Sequence, residues 1–278
     1  MILSPRTRRI LLIVCLLVLF FLFSPILIVF PLAFSDSSFL VWPPTGFSLR
    51  WFETFFQQTK WVSATINSFK VAILTTLISL LVGTMAAFGI ARMRGIRRSL
   101  LYIFFIIPMV IPAIVLALAY YFGFAEIGIK RSMLTVLIAH IIIATPYVVT
   151  NVTAGLANFD WNTHRASQSL GAGPVATFRN IVLPSIGPSL VSGGLFAFIT
   201  SFDEVVIAQF ISGTAFKTLP MEMFAGIKNE IQPTISAAAA MLIVLSVVIQ
   251  GGAQYISNRR EDVITGRRRK EATQTPRP

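Results

Sequence analysis

Asp203 and Glu204 have the clearest capacity for chemistry in this sequence, because they sit inside the apolar run Leu195-Phe-Ala-Phe-Ile-Thr-Ser-Phe-Asp-Glu-Val-Val-Ile-Ala. A carboxylate in such a run is costly unless it is hydrated, paired or used. The chemistry open to the pair is attraction of a cation in a vestibule, and the plainer reading is interfacial carboxylates. Successive helical residues point about 100° apart, so both cannot face one path, and Asp203 is preferred. Tyr120 and Tyr121, with Phe122 beside them, suit either an aromatic cage for an amine or an interfacial aromatic belt, and the belt is the simpler reading. His140 beside Pro146 poses a proton relay against a hydrogen-bonded packing residue, and packing is preferred. Cys15 is the single cysteine, which excludes an intrachain disulfide and leaves a small packing residue. The sequence has no Gly-x4-Gly-Lys-Ser/Thr phosphate loop and only two histidines, so neither nucleotide hydrolysis nor a metal site is expected, and no cofactor.

The elements that must position these residues are membrane helices. With 55% hydrophobic and 12% charged residues in 278, the chain has too little polar surface to cover a water-soluble globule. The formal charge of +12 sits in short basic clusters between apolar runs, which argues against a nucleic-acid-binding domain. A helix crossing the hydrocarbon needs about 20 apolar residues, and six stretches qualify: 10–34, 61–91, 100–124, 132–156, 184–211 and 235–255. The expected fold is all-α, with six transmembrane helices in one membrane domain over 10–257, a short leading segment 1–9 and a basic tail 258–278. The first stretch follows Arg6, Arg8 and Arg9 as a secretory signal would, but it exceeds the roughly 7–15 apolar residues of a signal and reads as a retained helix.

Loop charge sets the orientation. Arg6, Arg8 and Arg9, then Arg92, Arg94, Arg97 and Arg98, then Arg259, Arg260, Arg267, Arg268, Arg269 and Lys270 all fall on one side of a six-span topology, which makes that side and both termini cytoplasmic. Most acids, including Asp36, Glu53, Glu126, Glu222 and Glu230, fall opposite. The tail is expected to be disordered, a topology anchor with some attraction for anionic lipid. Gly83 with Ala87, Gly193-Gly194 and Ala237 to Ala240 offer small faces for close helix packing. Pro108, Pro112 and Pro146 should kink or open their helices.

Between the fourth and fifth stretches lies a long patterned loop, Asn158 to Pro184. Thr163 is expected to cap a helix from His164 to Leu170, Gly171 to end it in the left-handed region, and Pro174 to open a second helix reaching Asn180. Leu170, Val175 and Phe178 would form an apolar face, which implies either a protein partner or the chain's own helix ends. Physics alone leaves the two equal.

This loop resembles the Glu-Ala-Ala loop of ATP-binding cassette importer permeases: Arg165, Ala166 and Ser167 occupy the triplet, Gly171 the glycine, and Ile181, Leu183 and Pro184 the ending. Arg165 stands where that family has an acid. The run Leu195 to Gly213, followed by Leu219-Pro220, is similar to the fifth span and outer loop of the spermidine/putrescine branch. Polyamine-handling members often carry an acid after the second proline of the third span, where this chain has Ala113. Opines and amino-acid derivatives therefore stay beside polyamines as cargo. The resemblance implies a multi-pass permease of the bacterial inner membrane with no catalytic site of its own. It also implies coupling through Arg165, Ala166, Ser167, Leu170, Gly171, Phe178, Ile181, Leu183 and Pro184 to a pair of ATPase subunits, a second related permease and an external binding protein. An ion-coupled secondary transporter is the alternative; it predicts more buried ionisable residues and inverted halves with paired broken helices, and no such repeat is visible. A membrane subunit without transport activity leaves the patterned loop unexplained.

Overall fold

The computed structural model describes residues 5–229 and 232–252. The helices are α1 (Pro5–Ala33), α2 (Arg50–Gln57), α3 (Thr59–Arg92), α4 (Gly95–Val110), α5 (Ala113–Glu126), α6 (Met133–Ala157) and α7 (Trp161–Ser169). There follow α8 (Pro174–Thr177), a π-helical turn (Phe178–Val182), α9 (Leu183–Ser185), α10 (Gly187–Asp203), α11 (Val206–Ile211) and α12 (Leu219–Asn229). The last is α13 (Thr234–Gly252). Among the described residues four helices, α1, α3, α6 and α13, are long and apolar enough to cross a membrane, and the total is up to six if each of two bent pairs is one span. The expected tail 258–278 with its arginines, Glu230, and the end of the sixth stretch past Gly252 lie outside the described residues.

The third and fifth stretches differ from straight spans. Helix α4 begins at Gly95 and stops at Val110, and α5 leaves it at 100°. The cause is Pro112, which lacks an N–H and drives Ile111 into extended backbone at φ −74°, ψ 132°. Pro146 leaves α6 unbroken over 25 residues. The fifth stretch, expected as one helix over 184–211, bends by 76° between Ser185 and Gly187, where Pro188 opens α10. It ends at Asp203, and Glu204 is extended at φ −72°, ψ 115°.

The described residues divide into two compact units, 5–62 with 222–229 and 232–247, and 63–221 with 248–252. In the first, Ala33, Ala237 and Ala240 are buried with Val29, Phe30, Trp51 and Phe52 around them. The Phe34 and Phe52 rings lie 5.0 Å apart, the Trp51 indole donates to the Ser37 carbonyl at 3.2 Å, and the Arg50 guanidinium lies 4.4 Å from the Trp51 ring centre. The side chains of α1 from Ile10 to Phe23 are exposed and, save Cys15, large and apolar. A helix satisfies its own backbone, so such a surface is at home in lipid.

In the second unit, α6 is the central element, with twelve buried residues. One end of it packs on α5 and α11 through Ala117, Val136, Ala139, Ile143, Ile207 and Ile211. The other packs on α3 and α10 through Ala87, Ala144, Val148, Val152, Leu156, Val182, Ile186 and Ala197. Glycine permits this closeness: a Cβ at Gly83 would stand 2.8 Å from Val148 Cβ, and one at Gly193 would stand 3.2 Å from Val148 Cα. Two interior hydroxyls are paired across helices, with Thr135 Oγ1 donating to the Ile211 carbonyl at 2.7 Å and Ser68 Oγ accepting from Leu219 N at 2.8 Å. His140, 0% exposed, shares a 2.9 Å hydrogen bond with Ser201 Oγ, as its packing reading expects.

Candidate functional site

The segment joining α6 to α10 is a helical hairpin made by local rules. Asp160, not Thr163, caps α7: its carboxylate accepts from Asn162 N at 2.9 Å, and the Thr163 hydroxyl donates to the same carboxylate at 3.4 Å. The helix therefore starts at Trp161, earlier than a Thr163 cap allows. Asp160→Ala is expected to loosen α7 by about 1 kcal/mol, read as faster amide exchange over 161–166 with little change elsewhere. Gly171 ends the helix at φ +88°, a region open to glycine, and Pro174 opens α8. Ser167 and Thr177 hydroxyls, 3.1 Å apart, tie the two arms.

The expected single apolar face is divided. Phe178 turns inward, its ring edge-on to Phe88 at 5.1 Å, and Val182 and Ile186 continue into the core. Leu170 and Val175 turn outward, 88% and 77% exposed. Arg165, Ala166, Gly171 and Pro184 are exposed with them, whereas Ser167, Ile181 and Leu183 are half-buried. The hairpin is thus anchored by Phe178 on α3 and leaves Arg165, Ala166, Leu170 and Val175 exposed. Beneath it His164 is 5% exposed. Burial, then the Arg92 and Arg165 guanidiniums, hold its imidazole below the ordinary value, so it is neutral at pH 7.

At the opposite end of α10, about 25 Å away along a 17-residue helix, Asp203 is exposed. Glu204 serves the backbone instead, because its carboxylate accepts from Ile207 N at 2.6 Å and so caps α11. A carboxyl group three residues before that backbone N–H is a legible cap signal that an unbroken-helix reading conceals. Tyr120 stacks on Phe124 at 6.0 Å at the edge of the core, and the Arg131 guanidinium lies 5.7 Å from the Tyr121 ring centre. Tyr121 is exposed and lines a cavity of ≈ 410 Å³ together with Lys130 and Arg131. The aromatic group nearest Asp203 in sequence is one that composition did not reveal: Phe198 and Phe202 stack at 5.5 Å, and Phe69 meets Phe202 at 5.1 Å.

The chain joins an apolar helical fold to a patterned hairpin before α10 and an exposed carboxylate at its far end. Residues 79–262 match the family described as the binding-protein-dependent transport system inner membrane component. The chain belongs to this family. The permease is 31% identical to the spermidine/putrescine transport system permease protein PotC of Haemophilus influenzae, over 86% of this chain and 93% of the relative. It is also 31% identical to the putrescine transport system permease protein PotI of Escherichia coli (strain K12), over 87% of this chain and 88% of the relative. Among solved structures, a chain of a bacterial ABC transporter involved in the import of the acidic polysaccharide alginate superposes with a TM-score of 0.70 at 13% identity, covering 92% of the permease and 99% of that chain. That likeness speaks to the fold. The permease is accordingly a multi-pass inner-membrane transport subunit, and the family match includes both the hairpin and Asp203.

Proposed function

We propose that this permease imports a small organic cation, a polyamine or a related nitrogenous solute such as an opine or amino-acid derivative, by alternating access driven by separate ATPase subunits. The observation that carries the reading is the outward display of Leu170 and Val175 on a hairpin whose other apolar residue, Phe178, is locked onto Phe88. A large apolar side chain held rigidly in water is suited to insertion into a partner, and a hairpin continuous through α9 into α10 transmits a push to the span it begins. On this reading Arg165, Ala166, Leu170, Gly171 and Pro184 face the ATPase, while Ser167, Phe178, Ile181 and Leu183 hold the hairpin's shape. The hairpin end carries Arg92 and Arg94, which supports a cytoplasmic hairpin and cytoplasmic termini. Asp203 then belongs to the outer side and attracts the cation.

The relatives' names supply the polyamine class, and Ala113 in place of an acid keeps the related solutes in the set. The assembly comprises this chain, a second related permease, two ATPase subunits and an external binding protein. Catalysis resides in the ATPases, and the permease uses no cofactor. The test is ATP hydrolysis by the reconstituted assembly with binding protein loaded in turn with spermidine, putrescine and amino-acid derivatives. One solute class should stimulate hydrolysis, and Asp203→Asn should lower its uptake about tenfold, the effect of a charge contact of about 1.4 kcal/mol. An assembly in which hydrolysis ignores every loaded binding protein contradicts the reading.

A further inference from the structure

Helix α10 turns one face inward at four-residue spacing, with Gly193, Ala197 and Ser201 all buried. Small residues let helices approach closely, but they do not interlock, and between helices in lipid no hydrophobic force decides which side turns inward. Leu195, Phe196, Ile199 and Phe202 make the rest of this stretch apolar too, so the rotation of α10 needs a directional contact. Ser201 supplies one. Its hydroxyl lies 2.9 Å from His140 Nδ1 on α6, and among the described residues no other side-chain hydrogen bond joins α10 to another helix.

As packing alone the pair is unfavourable. His140 Nε2 is buried without a hydrogen-bond partner among the described residues, which costs free energy that an apolar side chain of similar volume would not. What the bond holds is the last turn of α10. Asp203 is the final residue of the helix and, two residues beyond Ser201, points about 200° away from it. With Ser201 turned to the core, Asp203 is left exposed, and on its other side Glu204 is fixed by Ile207 N. We infer that His140 is a positioning residue for cation capture: through Ser201 it sets the rotation of α10 and so keeps the Asp203 carboxylate turned away from the core. This inference rests on the cation reading of Asp203 above and adds the residue that aims it.

The test compares two replacements in the reconstituted assembly. His140→Asn keeps a polar atom as many bonds from Cα as Nδ1 is but leaves space, whereas His140→Leu fills the space and removes the bond. The solute is whichever of spermidine, putrescine and the amino-acid derivatives stimulates hydrolysis in the assay above. His140→Leu and Ser201→Ala should each raise its half-saturating concentration about fivefold with the maximal rate unchanged, and the double variant should be no worse than either. His140→Asn should stay near wild type, although it melts below His140→Leu. In a Cys15→Ser background, the thiol of Asp203→Cys should react with a cationic methanethiosulfonate about fivefold more slowly once His140→Leu is added, and not once His140→Asn is added. Transport that follows melting temperature, with His140→Asn the weaker variant, overturns the inference and returns His140 to packing; so does an unaltered thiol reaction in His140→Leu. If Asp203→Asn impairs uptake and His140→Leu does not, the cation reading stands and the positioning role falls. If Asp203→Asn changes nothing, the cation reading falls and takes the inference with it.

Discussion

A permease carrying Leu170→Glu is expected to insert and fold normally, yet to lose its ATPase subunits and all ATP-driven uptake. Leu170 is 88% exposed, so its removal leaves no cavity and should change stability by no more than about 0.5 kcal/mol. In a docked state the same side chain would be desolvated in a partner's cleft, and a carboxylate there costs several kcal/mol unless it is paired. Truncation of such a central anchor typically costs about 2 kcal/mol or more in binding, so retention of the ATPase should fall at least about thirtyfold. Val175→Glu, 77% exposed, should act in the same direction. Phe178→Ala should act by another route, loosening the hairpin from Phe88, and a lowered melting temperature distinguishes it from the outward-facing changes.

Gly193→Leu is expected to prevent accumulation of folded permease. A Cβ at this position would stand 3.2 Å from Val148 Cα, a backbone atom in the middle of α6, and backbone in a packed helix cannot yield as a side-chain end can. The added carbons must separate α10 from α6, a change of about 3 kcal/mol or more. Gly89→Leu is the control, since a Cβ there meets nothing within 4 Å and should leave the melting temperature near that of wild type. Equal thermal stability of the two variants in detergent would contradict the close approach of α6 and α10.

The parts of the fold that depend on local rules were legible in the sequence. Hydropathy located the membrane helices, and Gly171 and Pro174 marked the turn of the hairpin because a left-handed residue and a missing N–H are local requirements. What failed depended on competition or on distant contacts. Asp160 and Thr163 are both good caps three residues apart, and the ionised carboxylate, able to accept from a backbone N–H and a hydroxyl together, takes the position. Hydropathy measures apolarity and not direction, so it joined α4 to α5 through a 100° bend and carried α10 past Asp203. Pro112 and Pro188 were the available signals for the bends. The apolar periodicity of the hairpin grouped Phe178 with Leu170, because only Phe88, some ninety residues away in sequence, separates inward from outward. For Glu204 the sequence showed an acid in an apolar run, and the structure shows a helix cap, which leaves Asp203 as the carboxylate free of that duty.

The most direct test of the central claim is uptake of labelled spermidine and putrescine into cells with and without this permease, with ATP and the proton gradient depleted separately. The expected result is uptake that requires the permease, stops when ATP is depleted and survives collapse of the gradient. Uptake that follows the gradient and continues without ATP would contradict an ATP-driven importer.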